Sequence, residues 1–201
     1  LRDEKENMHD ARFSPDNKRI VTVTGYGQPK IWDIYTGQLL FTLLGHTGYI
    51  YSAEYSPDGK YLVTCSGDST AKIWEAATGR LFRNLKGHLG AVESADFSSD
   101  GKMIVTASMD GTVRVWNCLT GKLITRFNAI LGREVCGWFS PDNKRILTPS
   151  SDNAARIWDA LTGKLLLKLE GSAGIGIVQF SPDGKKVVGS CGNSRALVWD
   201  A

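Results

Sequence analysis

Residues 108–117 read SMDGTVRVWN, and two close relatives of this decapeptide stand at 66–75 (SGDSTAKIWE) and 150–159 (SSDNAARIWD). Each contains an Asp followed six residues later by a Trp, and polar and apolar residues alternate between them. Alternation with a period of two is typical of a half-buried β-strand. The small polar residues around each Asp favour a tight turn. The stretch therefore predicts a turn that leads into a strand, repeated along the chain.

The repeat extends through the whole chain. Five tryptophans recur every 41 or 42 residues, at Trp32, Trp74, Trp116, Trp158 and Trp199, while Trp138 stands outside the series. Turn sequences recur in step with them: FSPDNK (13–18), YSPDGK (55–60), FSSDGK (97–102), FSPDNK (139–144) and FSPDGK (180–185). Self-similarity at such a period indicates a repeat architecture in which each copy packs on its neighbours.

Each unit contains four short alternating segments. In the second unit these are YIYSAEY (49–55), YLVTCS (61–66), TAKIWE (70–75) and RLFRNL (80–85). Four strands joined by tight turns make an antiparallel sheet, which buries both faces only against other copies. Radial stacking of such sheets gives a β-propeller. We predict an all-β domain over 1–201, with blades at approximately 5–45, 46–87, 88–129, 130–171 and 172–201, the last lacking its outer strand.

Recurring dipeptides in the sequence resemble those of a known family. The sequence has GH at 45–46 and 87–88, WD at 32–33, 158–159 and 199–200, and the variants WE and WN at 74–75 and 116–117. With the period and the turns, these make the chain similar to WD-repeat β-propellers. The resemblance implies about five WD repeats. Because such propellers usually have seven blades, we expect a segment of a larger ring whose remaining blades come from the rest of the polypeptide or an assembly.

The resemblance also implies a hydrogen-bonded chain of His, Ser or Thr, Asp and Trp within a blade. The candidates for this structural blade network are His46, Thr64, Asp68, Trp74, His88, Thr106, Asp110, Trp116, Thr148, Asp152 and Trp158. His, Asp and Thr could also form a nucleophilic triad, but duplication in successive blades favours a structural role. Buried groups of these types need partners and can satisfy one another. We expect the first, fourth and fifth blades to be held by packing and turns alone.

In this family partners often dock on the face that carries the His and Asp loops. Transferred by position, the candidate partner-binding residues are His9, Tyr49, Tyr51, Glu93, Met109 and Arg133. Aromatic, Met and Arg side chains suit such a role because they dominate the binding energy of many interfaces. The alternative is that Tyr49 and Tyr51 merely pack against an adjacent loop.

The amino-acid composition limits the classes of function that the chain can have. The 24 basic residues are interleaved with 21 acidic ones, for a net charge of +3, which is poor support for nucleic-acid binding. The histidines and four cysteines lack metal-ligand spacing, and no segment reads as a membrane helix. We expect no cofactor, no metal and no small-molecule substrate, and a reducing compartment: the cytoplasm, with the nucleus as the alternative.

The leading interpretation is a non-enzymatic protein–protein interaction scaffold, a module of a larger signalling, assembly or sensing protein, with a protein or peptide partner on the face just described. A nucleic-acid or chromatin-associated propeller is the main alternative. A propeller hydrolase is a further alternative, and it would need a carboxylate or His cluster near the ring axis.

Overall fold

The structure is a computed structural model that describes residue 8 and residues 10–129, 135–171, 174–192 and 195–201. Over these residues the regular structure consists of nineteen β-strands in five antiparallel sheets. Within the same residues there is no helix whose length and hydropathy would let it cross a bilayer.

The strands follow one another in chain order within each sheet. The first sheet contains β1 (Asp10–Phe13), β2 (Arg19–Val23), β3 (Lys30–Asp33) and β4 (Leu39–Thr42). The second contains β5 (Ile50–Tyr55), β6 (Tyr61–Ser66), β7 (Ala71–Glu75) and β8 (Leu81–Leu85). The third contains β9 (Val92–Phe97), β10 (Met103–Ser108), β11 (Thr112–Asn117) and β12 (Leu123–Asn128).

The last two sheets differ in their number of strands. The fourth contains β13 (Trp138–Phe139), β14 (Arg145–Pro149), β15 (Ala154–Asp159) and β16 (Leu165–Glu170). The fifth contains β17 (Ile175–Phe180), β18 (Lys186–Cys191) and β19 (Arg195–Asp200), three strands among the described residues. We call these sheets blades 1 to 5.

The recurring Ser-Pro-Asp-Gly sequence closes the first hairpin of a blade through side-chain bonds to the backbone. In blade 2 the Ser56 hydroxyl donates to the Asp58 carboxylate at 2.7 Å, and the same carboxylate accepts from the Lys60 amide at 3.0 Å. Gly59 has φ 70°, a left-handed conformation that glycine adopts without a steric penalty. Local residue choice thus reverses the chain at the same place in each repeat.

The blades stack side by side in chain order. The first strand of each later blade packs against the blade before it, with contacts of β5 to β1, β9 to β5, β13 to β9 and β17 to β14. Apolar side chains of neighbouring blades fill the space between them, as where Val21 and Ile31 of blade 1 meet Tyr55 and Leu62 of blade 2. The predicted all-β propeller of WD repeats, with antiparallel blades, is confirmed.

The antiparallel order fixes which loops share a face. The loops after the second and fourth strands of each blade lie at one end, and the turns after the first and third strands lie at the other. We call the first end the upper face and the second the lower face. The His loops and Asp turns of the repeats therefore meet on the upper face.

Candidate functional site

Blade 2 contains a continuous hydrogen-bonded chain that runs from its interior to the upper face. The Trp74 indole N–H donates to Thr64 Oγ1 at 2.9 Å, and His46 Nε2 lies 2.8 Å from the same oxygen. His46 Nδ1 lies 2.7 Å from Asp68 Oδ2. The structure thus brings together all four residues that the resemblance assigned to this blade.

The protonation states follow from the surroundings. Burial lowers the pKa of His46 below its usual range, against the opposing effect of Asp68, so the imidazole is neutral at pH 7. With its proton on Nδ1 it donates to Asp68, and its Nε2 accepts from the Thr64 hydroxyl, which itself accepts from Trp74. Every polar group of the chain then has a partner. Each residue donates a hydrogen bond to the next, from Trp74 toward Asp68.

Asp68 ends the chain as a carboxylate. Burial alone would raise its pKa, but hydrogen bonds from Thr70, His46 and the Thr47 amide outweigh burial and lower the pKa to about 2. The Thr70 hydroxyl donates to Asp68 Oδ1 at 2.5 Å, and the Thr47 amide donates to Oδ2 at 3.1 Å. The carboxylate therefore also fixes the loop that carries His46.

Blade 3 repeats the arrangement. Trp116 Nε1 donates to Thr106 Oγ1 at 2.9 Å, His88 Nε2 lies 2.8 Å from that oxygen, and His88 Nδ1 lies 3.0 Å from Asp110. The Thr112 hydroxyl donates to Asp110 at 2.6 Å. Burial acts first to raise the pKa of Asp110, but these hydrogen bonds hold it well below its usual range.

The expectation that packing and turns alone hold the other blades is wrong, because blades 1 and 4 keep part of the hydrogen-bonded chain and the tryptophan of blade 5 keeps a hydrogen bond. The tryptophan donates to threonine in blade 1 (Trp32 to Thr22, 2.8 Å) and in blade 4 (Trp158 to Thr148, 2.9 Å). In blade 5, Trp199 donates instead to the backbone carbonyl of Glu170 in the neighbouring blade, at 2.9 Å. A buried indole N–H keeps a partner even where the rest of the chain is absent.

Asp152 of blade 4 is held differently from its counterparts. Arg156 Nη1 donates to Asp152 Oδ1 at 2.9 Å, and Nη2 donates to Oδ2 in a two-pronged ion pair. This pair lowers the pKa of Asp152 below its usual range, with the Arg156 hydrogen bond as the largest cause. Position 130, where the His of this blade would stand, lies outside the described residues. Arg156 was not among the residues selected from the sequence, although it lies four residues after Asp152.

Three tyrosines form an exposed aromatic cluster on the upper face, where blade 1 meets blade 2. The rings of Tyr26 and Tyr49 meet edge to face with centroids 5.1 Å apart, and those of Tyr49 and Tyr51 lie 5.0 Å apart. Tyr26 is 82% exposed, whereas Tyr49 and Tyr51 are half-buried. We call Tyr26, Tyr49 and Tyr51 the tyrosine cluster. In the repeat, Tyr26 stands at the position that Asp68 occupies in blade 2. Its place in the repeat therefore gave no indication that it is a surface residue.

Glycine and backbone bonds hold the central ring of this cluster. A Cβ on Gly25 would lie 2.5 Å from Tyr49 Cε2, so the ring lies directly against the backbone of blade 1. The Ile50 amide donates to the Gly25 carbonyl at 2.7 Å, and the Gly67 amide donates to the Tyr49 carbonyl at 2.7 Å. The segment that carries Tyr49 is therefore fixed on both sides.

The remaining candidates extend the surface toward blade 3. Tyr51 packs against the core between blades 2 and 3, and its pKa is raised by burial and then by the nearby charge of Glu93. Met109, on the Asp turn of blade 3, is 65% exposed. The structure thus places Tyr49, Tyr51 and Glu93 in one region, with Met109 on the same face. His9 and Arg133 lie outside the described residues.

A strip of charged residues along the first strands went unnoticed in the sequence. Arg12, Glu54 and Asp96 occupy the same position in successive repeats, directly before the aromatic residue that precedes the Ser-Pro-Asp or Ser-Ser-Asp turn. Arg12 Nε donates to Glu54 at 3.2 Å. Burial, and then the charge of Glu54, raise the pKa of Asp96 to about 7. Reading each repeat for its residue at this position would have found the strip.

Asp96 lines a groove whose volume is about 740 Å³. Its other walls are mainly apolar and include Trp138, Phe139 and Ile177. Among the described residues no three His, Cys, Asp or Glu side chains are grouped so as to hold a metal ion. Cys65, Cys118 and Cys191 are buried, and Cys136 is half-buried.

Comparison with known families gives a match over most of the chain. The family model described as WD domain, G-beta repeat, matches four consecutive stretches, 37–75, 79–117, 123–159 and 163–200. Each match runs from the outer strand of one blade through the third strand of the next. Repeats of this family generally mediate protein–protein interaction. A search of curated proteins found no match.

Comparison with solved structures supports the same architecture. The chain is similar to the computationally designed Ika8 protein, with a TM-score of 0.82 and 28% sequence identity. The alignment covers 97% of this chain and 58% of the designed chain, so this chain spans a little over half the length of that structure.

Proposed function

Because this chain belongs to the WD domain, G-beta repeat family, we propose that it is a non-enzymatic scaffold that binds a protein or peptide partner on its upper face. The tyrosine cluster, extended by Glu93 and Met109, is the contact surface. The observation that carries the proposal is the cluster itself: three mutually packed rings, one of them 82% exposed, held against Gly25 at a blade junction.

The chemistry of this surface suits a protein partner. Tyrosine buries a large apolar area with little loss of side-chain freedom, and its hydroxyl gives a partner a hydrogen-bonding group. Methionine adapts its shape to irregular surfaces. Because the segment of Tyr49 is already fixed by Gly25 and Gly67, little ordering cost would accompany binding there.

Charge indicates the kind of segment that would bind. Glu93 lies near enough to Tyr51 to raise its pKa, and tyrosine faces attract cations. An arginine or lysine of the partner would therefore gain both a carboxylate and an aromatic face. We propose that the bound segment is basic, with an apolar residue next to the basic one.

Two observations speak against the alternatives. On the lower face Lys60 lies 3.2 Å from Asp58, and Lys102 lies 3.5 Å from Asp100, so these lysines do not form the bare basic stripe that nucleic acid requires. For hydrolysis, Asp96 has a raised pKa, but one half-buried carboxyl beside an ion-paired Glu54 is not by itself a catalytic constellation. We therefore favour interaction over both alternatives.

A peptide selection on the immobilised chain tests the proposal. A random peptide library displayed on phage would be selected on the wild-type protein, and the recovered peptides measured by fluorescence anisotropy against Tyr26→Ala and Tyr49→Ala. We expect the peptides to be enriched in basic residues and to lose about tenfold or more in affinity, as substitution of an interface hot spot does.

Tyr35→Ala is the matched control, because Tyr35 is 78% exposed and lies in the β3–β4 turn on the lower face. Its affinity for the selected peptides should equal that of the wild type. Peptides that bind the Tyr26 and Tyr49 variants as tightly as the wild type would refute the proposed contact surface.

A further inference from the structure

A small polar cavity lies on the lower face, at the junction between blades 1 and 2. Its volume is about 100 Å³, and the residues of its wall belong to those two blades. Blade 1 contributes Ser14 and Asp16 from its first turn and Arg19 from the start of β2, and the turns of blade 2 contribute Asp58 and Ala76. The cavity is therefore lined by polar groups and by charges of both signs, unlike the apolar cluster that fills the rest of this junction.

Tyr55, the last residue of β5, brings to this wall a hydroxyl that lacks a protein partner. Tyr55 is 5% exposed, and no group in the described part of the chain hydrogen-bonds to its hydroxyl. Burial raises the pKa of Tyr55 to about 12, and the charges of Arg19 and Asp16 also act on it. The hydroxyl is therefore protonated at pH 7 and can both donate and accept. Because an unpaired buried polar group costs free energy, a ligand that pairs with it would be bound favourably.

The other repeats show that packing does not require this hydroxyl. Phenylalanine stands at the position of Tyr55 in each of them, as Phe13, Phe97, Phe139 and Phe180. Phe97 and Phe180 are buried nearly as well as Tyr55, at 6% and 8% exposed. The hydroxyl therefore belongs to this one junction and not to the common structure of the blades.

Arg19 also differs from its counterpart in blade 4. Arg145 donates to the carbonyl of Gly184, in the first turn of blade 5, at 2.7 Å. Arg19 instead donates to the carbonyl of Ala76 at 2.5 Å. Gly59, the counterpart of Gly184, lies in the wall of the cavity. The direction of Arg19 therefore leaves the turn glycine of blade 2 facing the cavity and not an arginine.

Two carboxylates complete the wall. Asp16 Oδ1 accepts from the Ser14 hydroxyl at 2.6 Å and from the Lys18 amide at 3.0 Å, which leaves Oδ2 without a hydrogen bond to any described residue. Asp58 Oδ1 is held in the same way by its own turn, and Asp58 Oδ2 lies 3.2 Å from the Lys60 ammonium. Asp16 Oδ2 is therefore the acceptor that a ligand would meet.

We propose that this cavity binds a neutral carboxamide group. A carboxamide accepts hydrogen bonds at its oxygen and donates two from its nitrogen. The oxygen would accept from Arg19 and the Tyr55 hydroxyl, and the nitrogen would donate to Asp16. The two aspartates would repel a carboxylate, and Arg19 would repel an ammonium group. A cavity of about 100 Å³ has room for a carboxamide, because a water molecule takes about 30 Å³.

Two sources could supply this group: an Asn or Gln side chain of a bound protein, or a free small amide. The site lies on the lower face, opposite the tyrosine cluster, and it shares no residue with that cluster. Its test therefore succeeds or fails independently of the contact surface proposed for the upper face.

An NMR titration of the full chain tests the proposal. Acetamide would be added to isotopically labelled protein while the backbone amides of Gly59 and Ala76, both in the cavity wall, are followed. Acetate and methylammonium, which are close to acetamide in size but carry a charge, are the comparison ligands. We expect saturable shifts of both amides with acetamide and only weak, non-saturating shifts with the two ions.

Two variants use residues that other repeats carry at the same positions, so each should fold. Tyr55→Phe matches Phe97, and Arg19→Met matches Met103. We expect each to weaken acetamide binding about fivefold, the factor that one net hydrogen bond represents. Tyr35→Phe is the matched control, because it removes a hydroxyl from an exposed tyrosine elsewhere on the lower face, and it should bind acetamide like the wild type.

Short peptides distinguish the two sources of the carboxamide. Tripeptides with glutamine or asparagine between two glycines, acetylated at one end and closed by a dimethylamide at the other, would be compared with the same peptide containing leucine. Saturable shifts with a glutamine or asparagine peptide would assign the site to a side chain of a partner protein. Shifts with acetamide but not with these peptides would assign it to a free amide.

Three results would overturn the proposal. The first is the lack of a saturable response to acetamide. The second is tighter binding of acetate or methylammonium than of acetamide, which would indicate a site for an ion. The third is acetamide binding that is unchanged in Tyr55→Phe or in Arg19→Met.

Discussion

Replacing Asp68 with Asn removes the charge at the end of the blade 2 chain while preserving the size of the side chain. In the wild type the carboxylate accepts hydrogen bonds from His46, Thr70 and the Thr47 amide. Asparagine has one acceptor oxygen in place of two, and its amide group would face the His46 N–H as a second donor. The variant therefore weakens the network without creating a cavity.

The magnitude follows from the pKa of Asp68. A folded-state pKa of about 2, against 3.8 for the free group, means that the fold binds the charged form more tightly by about 2 kcal/mol, at 1.36 kcal/mol for each pKa unit. The side chain is 9% exposed, so solvent screening reduces this little. We expect the free energy of unfolding at pH 7 to fall by about 2 kcal/mol, within the range for a disrupted buried hydrogen-bond network.

The same pKa fixes the pH dependence. Because the folded-state pKa is lowered, the stabilisation is fully present above the unfolded-state pKa of 3.8 and is lost as the pH falls toward about 2. The difference between wild type and Asp68→Asn should therefore be constant above about pH 5 and shrink steadily below about pH 4.

Urea unfolding followed by tryptophan fluorescence, at pH 7, 5, 4 and 3, measures this difference. Asp200→Asn is the control, because Asp200 forms an ion pair with Lys186 but its side chain is 89% exposed, and it should leave stability nearly unchanged. An Asp68→Asn variant as stable as the wild type at pH 7, or a loss of equal size at pH 3 and pH 7, would refute the reasoning.

Three further predictions concern other parts of the chain. Thr148→Val should lower the free energy of unfolding by about 1–3 kcal/mol in urea titrations because it orphans the buried Trp158 N–H, and an unchanged midpoint would contradict this. Ser69 has φ 63°, so Ser69→Gly should raise the melting temperature by relieving a conformation that costs about 1 kcal/mol; a lower value would contradict it. Burial raises the pKa of the Cys65 thiol to about 12, so iodoacetamide at pH 7.5 should label half-buried Cys136 first in a mass-spectrometric time course, and early labelling of Cys65 would count against the described packing.

The repeat period and the turn residues were sufficient to predict the blades. Trp74 and Asp68 stand at fixed sequence separations from the Ser-Pro-Asp-Gly turn, and the same separations recur in other repeats. Assigning the strands of one repeat was therefore enough to assign those of the others. The contacts of the blade 2 and blade 3 chains were predicted from the resemblance to WD-repeat propellers, by matching positions in the repeat. Their partners are set by strand register, and register follows from the alternation of buried and exposed residues.

The features of the site that could not be predicted are those in which one blade departs from the repeat pattern. Arg156 replaces histidine as the partner of Asp152, and it was missed because the transfer followed only the His, Thr, Asp and Trp positions of the repeat. Lys72 stands at the same repeat position as Arg156, and its Nζ lies 3.7 Å from Asp68. Tyr26 stands at a network position in the sequence but lies on the surface against Tyr49.

The central claim is that the blade networks hold the fold while the tyrosine cluster holds a partner, and a paired measurement tests it most directly. Affinity for a selected peptide and melting temperature would be determined for Tyr26→Ala and for Thr106→Val, whose side chain is fully buried in blade 3. We predict that Tyr26→Ala loses affinity at an unchanged melting temperature, and that Thr106→Val melts lower but binds normally while folded. Weakened binding by folded Thr106→Val, together with normal binding by Tyr26→Ala, would contradict this division of roles.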